Sequence, residues 1–503
     1  MTENMEDYGG LTVREQEAIL EHCFRKGIPT DRAVTFNDMY LPDRYSKIRS
    51  RSAIQDFRTQ LTPKIGLNLP FISANMKGVT GPRLARELMR LGGLAIIPQM
   101  DQIEEREAQL DAIRRADCAL IDDPLTIAPH KTLKEAKAIM ERFGINSLVV
   151  VDEKNHPIGM LSNRDWFYET DDTKKVFELM GGKRKLYTAP TGTPFAEAAK
   201  ILRQNKIEKL PLVNRNGKLV GLLTTHGLFY ERLYPRATRD NQFGRFLLVG
   251  SVGVGEQVTK ARLLEVEKQV AKGICMLLID TARAFSDNAR DMVVAVKKRF
   301  PDLPLMVGNT SCAEGTKFLI EAGADIVKIG IGPGKVCRTR RVGIGTPQIT
   351  AIAESSAIAN LYGKTTVGDG GMEGPDHITK AIIAGASGIM SGSLFIQAEE
   401  SEADSDRDDQ DGSKIKVYQG SASFAAQKNR MQNKTLDRRR RPEGVAKTVK
   451  VVGTVEEIVE DLLDGMRSAM SYLGTWSVKE LREKAKFPGR IQTPEGLREG
   501  TKK

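Results

Sequence analysis

From about residue 245 onward the chain repeats one theme: a short apolar run ending in a polar residue or glycine, then an amphipathic stretch with helical spacing. The apolar runs fall at residues 246–254, 274–280, 305–309, 325–331, 365–369 and 388–393, with helical patterns at 286–300, 314–322, 347–361 and 376–384. Such alternation predicts parallel strands joined by crossover helices, because neither element can bury its apolar side alone. Two earlier runs, 71–75 and 94–99, flank a helical stretch at 82–91. Two and six make eight, the strand count of a (β/α)8 TIM barrel in the α/β class.

Polar and glycine residues gather at the C-terminal ends of these runs: Ser73 and Asn75, Asp280, Asn309, Gly330 to Gly334, Asp369 to Gly371, Gly392 and Ser393. That rim of a barrel carries the chemistry, and the loops after strands seven and eight commonly bind phosphate. The run Ile329 to Arg340 is the most pointed: three alternating glycines, then Cys337, with Thr339 two residues on. Glycines let the backbone approach an ion closely. An arbitrary cysteine is most often a small buried hydrophobe. Lys335, Arg338, Arg340 and Arg341 surround this one, and a cysteine among cations reads as a nucleophile.

A net charge of +11 raises the possibility of nucleic-acid binding, but positive and negative residues are interspersed and only Arg438 to Arg441 forms a dense run. Such a run is usually a solvated loop. Aromatics at 6% supply no stacking platform, so the expectation is no nucleic-acid partner and a basic cleft for a phosphorylated metabolite. No apolar stretch reaches membrane-spanning length and residues 1–10 are polar and acidic, which predicts neither a membrane span nor a secretory signal. The five cysteines are scattered without metal-ligand spacing, as expected of free thiols in the cytoplasm.

The second and third barrel strands are separated by far more chain than one helix needs, and the gap holds an internal repeat offset by about 62 residues. Thr126 to Pro129 is echoed by Tyr187 to Pro190, Ser147 to Asp152 by Leu210 to Asn214, and Pro157 to Ser162 by Leu219 to Thr224. Each copy reads strand, helix, strand, turn, strand. The repeat resembles a pair of CBS modules, which implies binding of an adenine or guanine nucleotide as regulator. By that resemblance Ser162 and Asp165 grip a ribose in the first copy. The second copy keeps Thr224 but has Gly227 in place of the acid. The expected domains are 1–104 as the first part of the barrel with a helical extension, 105–235 as the CBS pair (about 118–176 and 180–235), and 236–503 as the rest of the barrel with an acidic loop and a flap.

Thr35-Phe36-Asn37-Asp38, Ser73-Ala74-Asn75-Met76, Gly308-Asn309, Gly332-Pro333-Gly334 with Cys337 and Thr339, Asp369-Gly370-Gly371, Gly392-Ser393, and Tyr418 with Gly420 occur in one order along the chain. Together they resemble the IMP dehydrogenase and GMP reductase family from about Thr35 to the C-terminus. The resemblance implies that Cys337 adds to C2 of a purine nucleotide, GMP or IMP, in a reaction that exchanges hydride with a nicotinamide. It assigns both ribose hydroxyls to Asp369 and the phosphate to Gly371, Gly392, Ser393 and Tyr418, with Gly420 a further substrate-binding residue. Ser73 and Met76 flank that pocket, and Lys335 stands where a serine usually meets the phosphate. Glu443 matches the reader of the purine N1 edge, Asp280, Asn309 and Gly330 border the nicotinamide, and the carbonyls of Gly332, Gly334 and Cys337 match a potassium loop. A homotetramer or octamer is implied as well.

The family runs in two directions. Its dehydrogenases activate water with an Arg-Tyr pair on the flap; here Arg430 aligns but Met431 follows it. Its reductases expel ammonia from GMP with help from a Thr and a Glu, matched by Thr339 and Glu400, and then use NADPH. The pattern Ala74-Asn75-Met76 with Gly92-Gly93 and Ile97-Pro98-Gln99 looks closest to the CBS-containing bacterial GMP reductases. The expectation is therefore NADPH-dependent conversion of GMP to IMP and ammonia. The alternatives are an IMP dehydrogenase using NAD and a non-catalytic purine-nucleotide sensor.

Overall fold

The computed structural model describes residues 10–99, 102–116, 120–143, 145–180, 185–240, 244–337, 339–407, 412–420 and 445–491. The chain divides into two compact units, one of Met1–Ile113, Arg236–Thr238 and Leu247–Lys503, the other of Arg114–Pro235 and Arg239–Phe246.

The larger unit is built on eight parallel strands: Phe71–Ser73, Leu94–Ala95, Val249–Gly253, Met276–Asp280, Leu305–Thr310, Ile326–Ile329, Thr365–Asp369 and Gly388–Ser391. Each pairs in parallel with the next in chain order and the eighth with the first. A parallel bridge from Ile96 to Val249 joins the second strand to the third and closes the barrel. Alternate side chains fill the interior: Ile72, Leu94, Val249, Met276, Leu278, Met306, Ile326, Val367 and Met390 belong to one buried cluster. Leu61, Ile65 and Leu67 join that cluster from a hairpin of strands Thr59–Thr62 and Ile65–Leu67. Thr59 and Thr365 tie the hairpin to the barrel, Thr59 Oγ1 donating to the Ser387 carbonyl and Thr365 Oγ1 to that of Leu61, each at 2.6 Å.

The outer helices follow the expected positions, Lys260–Ala271 is added between the third and fourth strands, and the expected N-terminal helical extension is present. Helix Val13–Lys26, capped by Thr12 and ended by Gly27 at φ 65°, packs on helix Gln348–Leu361. This explains why Gln348–Leu361 is buried nearly all round: it carries a barrel on one side and a helix on the other. Glu15 accepts from Tyr362 Oη at 2.6 Å and from Lys317 Nζ at 3.0 Å, and His22 Nε2 meets the Ala384 carbonyl at 2.9 Å. The final barrel helix runs Val455–Leu473, opened by a Thr454/Glu457 capping box and closed by Gly474 in the left-handed region.

The smaller unit repeats one supersecondary pattern in two sheets, as a tandem CBS pair does. In the first, Thr126–Ile127, Ser147–Val151 and Pro157–Ser162 pair around helix Leu133–Phe143. In the second, Ala189–Pro190, Lys209–Val213 and Leu219–Thr224 pair around Phe195–Asn205, with Leu120–Ile121 added at the edge. Even the bulge recurs, between Val150 and Val151 in one copy and between Leu212 and Val213 in the other. Among the described residues no helix is long and apolar enough to cross a membrane.

Candidate active site

At the C-terminal rim of the barrel a cleft of about 200 Å³ opens between the strand ends. Its lining draws on nearly every strand: Asn75 and Met76 after the first, Asp280 with Thr281 and Ala282 from the fourth, Asn309, Gly330 to Gly334, Asp369 to Gly371, and Gly392 with Ser393. Parallel strands in a closed barrel all end on the same side, so residues hundreds of positions apart converge there.

Cys337 is exposed at the cleft wall, its Sγ 3.3 Å from Thr339 Oγ1. The loop bearing it is held at both ends. Gly330, at φ 146°, lies so close to the seventh strand that a Cβ would sit 2.2 Å from the Asp369 carbonyl oxygen, so only glycine fits. Gln348 Nε2 donates to the carbonyls of Ile329 and Asp369 at 3.0 and 3.1 Å, tying the sixth strand end to the seventh. Val445 N–H donates to the Val336 carbonyl, and Gly420 N–H to that of Val445, both at 3.0 Å. Gly420 and Val445, on either side of residues 421–444, are thereby tied to the residue before Cys337.

Two of the four cations expected around Cys337 are engaged elsewhere. Lys335 Nζ pairs with Glu373 at 3.4 Å, and Arg340 donates to the Thr346 carbonyl at 2.9 Å. Arg338, Arg430, the run from Arg438 to Arg441 and Glu443 lie outside the described residues.

One further residue of the cleft lining is not among the expected ones. Lys328, in the middle of the sixth strand, is 3% exposed and its Nζ sits 2.9 Å from Asp280 and 2.8 Å from Asp369. Asn75 donates to Asp280 at 3.0 Å and Asn309 to Asp369 at 2.8 Å, so one hydrogen-bonded chain links five strand ends. Burial works against the charge on Lys328, but the two carboxylates outweigh it and hold the ammonium above the usual lysine range. The signal was present in Ile326-Val327-Lys328-Ile329: a lysine inside an apolar strand is tolerated only with partners.

Tyr418 is 4% exposed and its hydroxyl donates toward Met76 Sδ at 3.8 Å. Burial raises its pKa, and the charges of Asp369 and Cys337 add to the rise, so it stays a neutral phenol. A Cβ on Gly392 would stand 2.5 Å from that hydroxyl, which explains the glycine. Among the expected residues Cys337, Thr339, Met76, Asp280, Asn309, Gly330, Gly332, Gly334, Asp369, Gly371, Gly392, Ser393, Tyr418 and Gly420 share the cleft.

Three expected residues are placed differently. Ser73 is fully buried and accepts from Thr80 Oγ1 at 2.8 Å. Glu400 is 9% exposed, with Oε2 accepting the Val455 N–H at 2.9 Å, and does not line the cleft. Lys335 stands outside the lining beside Glu373. Among the described residues no group of three or more His, Cys, Asp and Glu side chains could hold a metal ion. The loop of Gly332, Gly334 and Cys337 offers carbonyls instead, the donor type of a potassium site; that of Gly334 also accepts the Cys337 N–H at 3.1 Å.

In the smaller unit, Ser162 N–H and Oγ both donate to Asp165 Oδ2, at 2.7 and 2.6 Å, as a helix cap. Thr224 Oγ1 accepts the Gly227 N–H at 3.0 Å in the corresponding cap.

A closed (β/α)8 barrel whose strand ends converge on a cleft with a glycine-rich, cysteine-bearing loop has the architecture of a barrel enzyme. Residues 33–503 match the model of the IMP dehydrogenase / GMP reductase domain, and the chain belongs to that family. It is an oxidoreductase family of purine metabolism whose members use a nicotinamide cofactor. The chain is 38% identical to inosine-5'-monophosphate dehydrogenase of Aquifex aeolicus over 90% of its length and 92% of that protein. It is 36% identical to that of Halalkalibacterium halodurans, covering 93% and 94%. Among solved structures, a GMP reductase variant of Trypanosoma brucei in complex with guanosine 5'-monophosphate superposes with a TM-score of 0.83 at 31% identity, over 94% of this chain and 98% of that one.

Proposed function

We propose that the protein is a GMP reductase, converting GMP to IMP and ammonia. The observation that carries this choice over the dehydrogenase is the flap sequence Asn429-Arg430-Met431-Gln432, which lacks the tyrosine that pairs with arginine to activate water. A reductase needs no water in its chemistry. Cys337 Sγ adds to C2 of the purine, the C2 amino group takes up a proton and the carbon–nitrogen bond breaks, releasing ammonia. Thr339, 3.3 Å from the sulfur, hands over that proton, with Glu400 assisting.

Asp369, held by Lys328 and Asn309, presents its carboxylate to the ribose hydroxyls. Gly371, Gly392, Ser393, Tyr418 and Gly420 take the phosphate, Met76 flanks it with Ser73 beneath, and Lys335 adds positive charge nearby. Glu443 reads the N1 edge of the base, and Arg430 approaches from the flap. The lining near Asp280 fits a nicotinamide: Asn75, Asp280 and Asn309 offer amide and carboxylate groups for its carboxamide and ribose, beside the small Ala282 and Gly330. When bound as NADPH, that cofactor supplies the hydride that replaces sulfur at C2. The carbon–sulfur bond then breaks and Cys337 returns to its starting state. Potassium at the carbonyls of Gly332, Gly334 and Cys337, a homotetramer or octamer, a nucleotide at Ser162 and Asp165 with Thr224 in the weaker copy, and a cytoplasmic setting complete this reading.

IMP dehydrogenase is the second reading, favoured by the curated relatives at 36–38% identity that carry that name. Cys337 and Thr339 serve either direction. Two mixtures separate them, GMP with NADPH and IMP with NAD, each followed by nicotinamide absorbance. Loss of NADPH in the first with silence in the second is expected. NADH formation in the second alone overturns the reductase, and silence in both leaves a nucleotide sensor.

A further inference from the structure

Strand Lys414–Gln419 inverts the usual order of polar and apolar faces. Val417 is 46% exposed, while Lys416 is 2% exposed and shares the inward face with Tyr418. A buried ammonium demands compensation. Here it comes from uncharged oxygens: Nζ donates to the Ala398 carbonyl at 2.7 Å, Ser401 Oγ at 2.7 Å, the Ser401 carbonyl at 3.0 Å and the Glu399 carbonyl at 3.2 Å. Among the described residues no carboxylate pairs with it directly.

Three protons facing four oxygens is the pattern of an ion in a cage more than of an ion pair. Carbonyl and hydroxyl oxygens at these distances are what a potassium or ammonium ion collects when it sheds its water. The cage is also a junction. Residues 398–401 follow the eighth barrel strand, and Glu399 N–H donates to the Gly453 carbonyl at 2.8 Å. Glu400 in turn receives the Val455 N–H at 2.9 Å. On the other side, two residues along the strand from Lys416, stands Tyr418 of the cleft.

We propose that Lys416 is a tethered monovalent cation: its ammonium fills an oxygen cage of potassium-like character and so positions Tyr418 relative to the loop bearing Glu400. It is a positioning residue, because it touches the cleft only through Tyr418. Truncating it empties a site that a free ion of the same class, a small alkylammonium, ammonium or potassium, then occupies.

The test uses the full chain with Lys416→Ala, in choline chloride of fixed ionic strength. Its thermal midpoint should fall by several degrees, and turnover by up to about 10²-fold, the scale of a small misplacement near a reacting centre. Replacing choline stepwise with methylammonium should restore both in parallel, and lithium should not, while the midpoint of the unaltered protein should not respond to methylammonium; potassium is left out of the comparison because the loop of Gly332 and Gly334 is itself read as a potassium site. Methylammonium avoids confusion with ammonia as a reaction product. The midpoint does not depend on which reaction is catalysed, so it tests the cage even if the reductase reading fails. An unchanged midpoint in choline overturns the proposal, as does restoration by choline itself or a folded variant that no cation rescues. If Lys416→Ala does not fold, Lys416→Met decides: its methyl group should occupy the cage without donating, giving a lowered midpoint deaf to every cation. A methionine variant as stable as the original overturns the proposal.

Discussion

Replacing Cys337 by alanine removes the one thiol among the described residues of the cleft wall while leaving the glycine loop and the Asp369 anchor in place. Turnover should be abolished, with GMP or IMP affinity held within roughly tenfold, about 1.4 kcal/mol, by calorimetry. Appreciable residual turnover would rule out the covalent route. Lys328 tests a different kind of residue. Lys328→Met leaves Asp280 and Asp369 facing each other without their shared cation, and breaking a buried ion pair costs about 3–5 kcal/mol. Denaturant unfolding should show that loss, and Lys328→Arg should recover part of it. Equal stability of Lys328→Met and the original would mean that the two carboxylates relax apart or take up protons at little cost.

Helix Val13–Lys26 owes its position to a carboxylate. Burial alone would raise the pKa of Glu15, but hydrogen bonds from Tyr362, Thr12 and Lys317 overcome that and bring it down to about 2. The same contact pushes the Tyr362 phenol up to about 12. An unfolded glutamate titrates near ~4.3. The folded state therefore binds fewer protons between these values, and the stabilisation is full above the upper one and lost as pH falls toward the lower. In chemical unfolding, the stability gap between the original protein and Glu15→Gln should be constant from pH 7 to pH 5 and narrow below about 4.3. A gap that widens on acidification would reverse the assignment. At this scale the strands and helices were legible because their signals are local: period-two and period-3.6 patterns, a Thr-x-x-Glu cap, a terminal glycine. The packing of the N-terminal helix onto Gln348–Leu361 was not, since an amphipathic face does not say what will cover it.

For the whole molecule, every cleft-lining residue lies outside the inserted unit, so excision should spare the barrel. The cut point matters. Arg106 is 2% exposed and donates to the Ser251 carbonyl of the third strand at 3.1 Å. Removing residues 114–235 through a flexible linker should give a folded, active barrel by circular dichroism and turnover. Removing 105–235 deletes Arg106 too and should give a lower thermal midpoint. An unfolded product from the milder cut would make the insertion structural. Within the intact chain, Asp165→Ala should abolish nucleotide binding to the insertion and any coupling to catalysis, on the order of 1–3 kcal/mol, whereas a change at Gly227 should leave both. Unchanged binding in Asp165→Ala by calorimetry would refute that assignment.

Eight strands, the barrel, the doubled insertion and the cysteine loop were all written into the order of residues, because each is declared by neighbours within a turn or a strand. Gly330, Cys337, Thr339 and Asp369 to Gly371 could be placed on one rim by counting strands alone. Tertiary structure alone decided which of these side chains meet and which do not. Ser73 turns into the wall, Glu400 answers to a helix N–H, and Lys335 finds Glu373. It also decided that Lys328 joins Asp280 to Asp369 and that Lys416 sits in a ring of oxygens. A buried charge marks its own residue as exceptional, but its partners are fixed by the closing of the barrel and the return of a distant strand, and no local pattern encodes them.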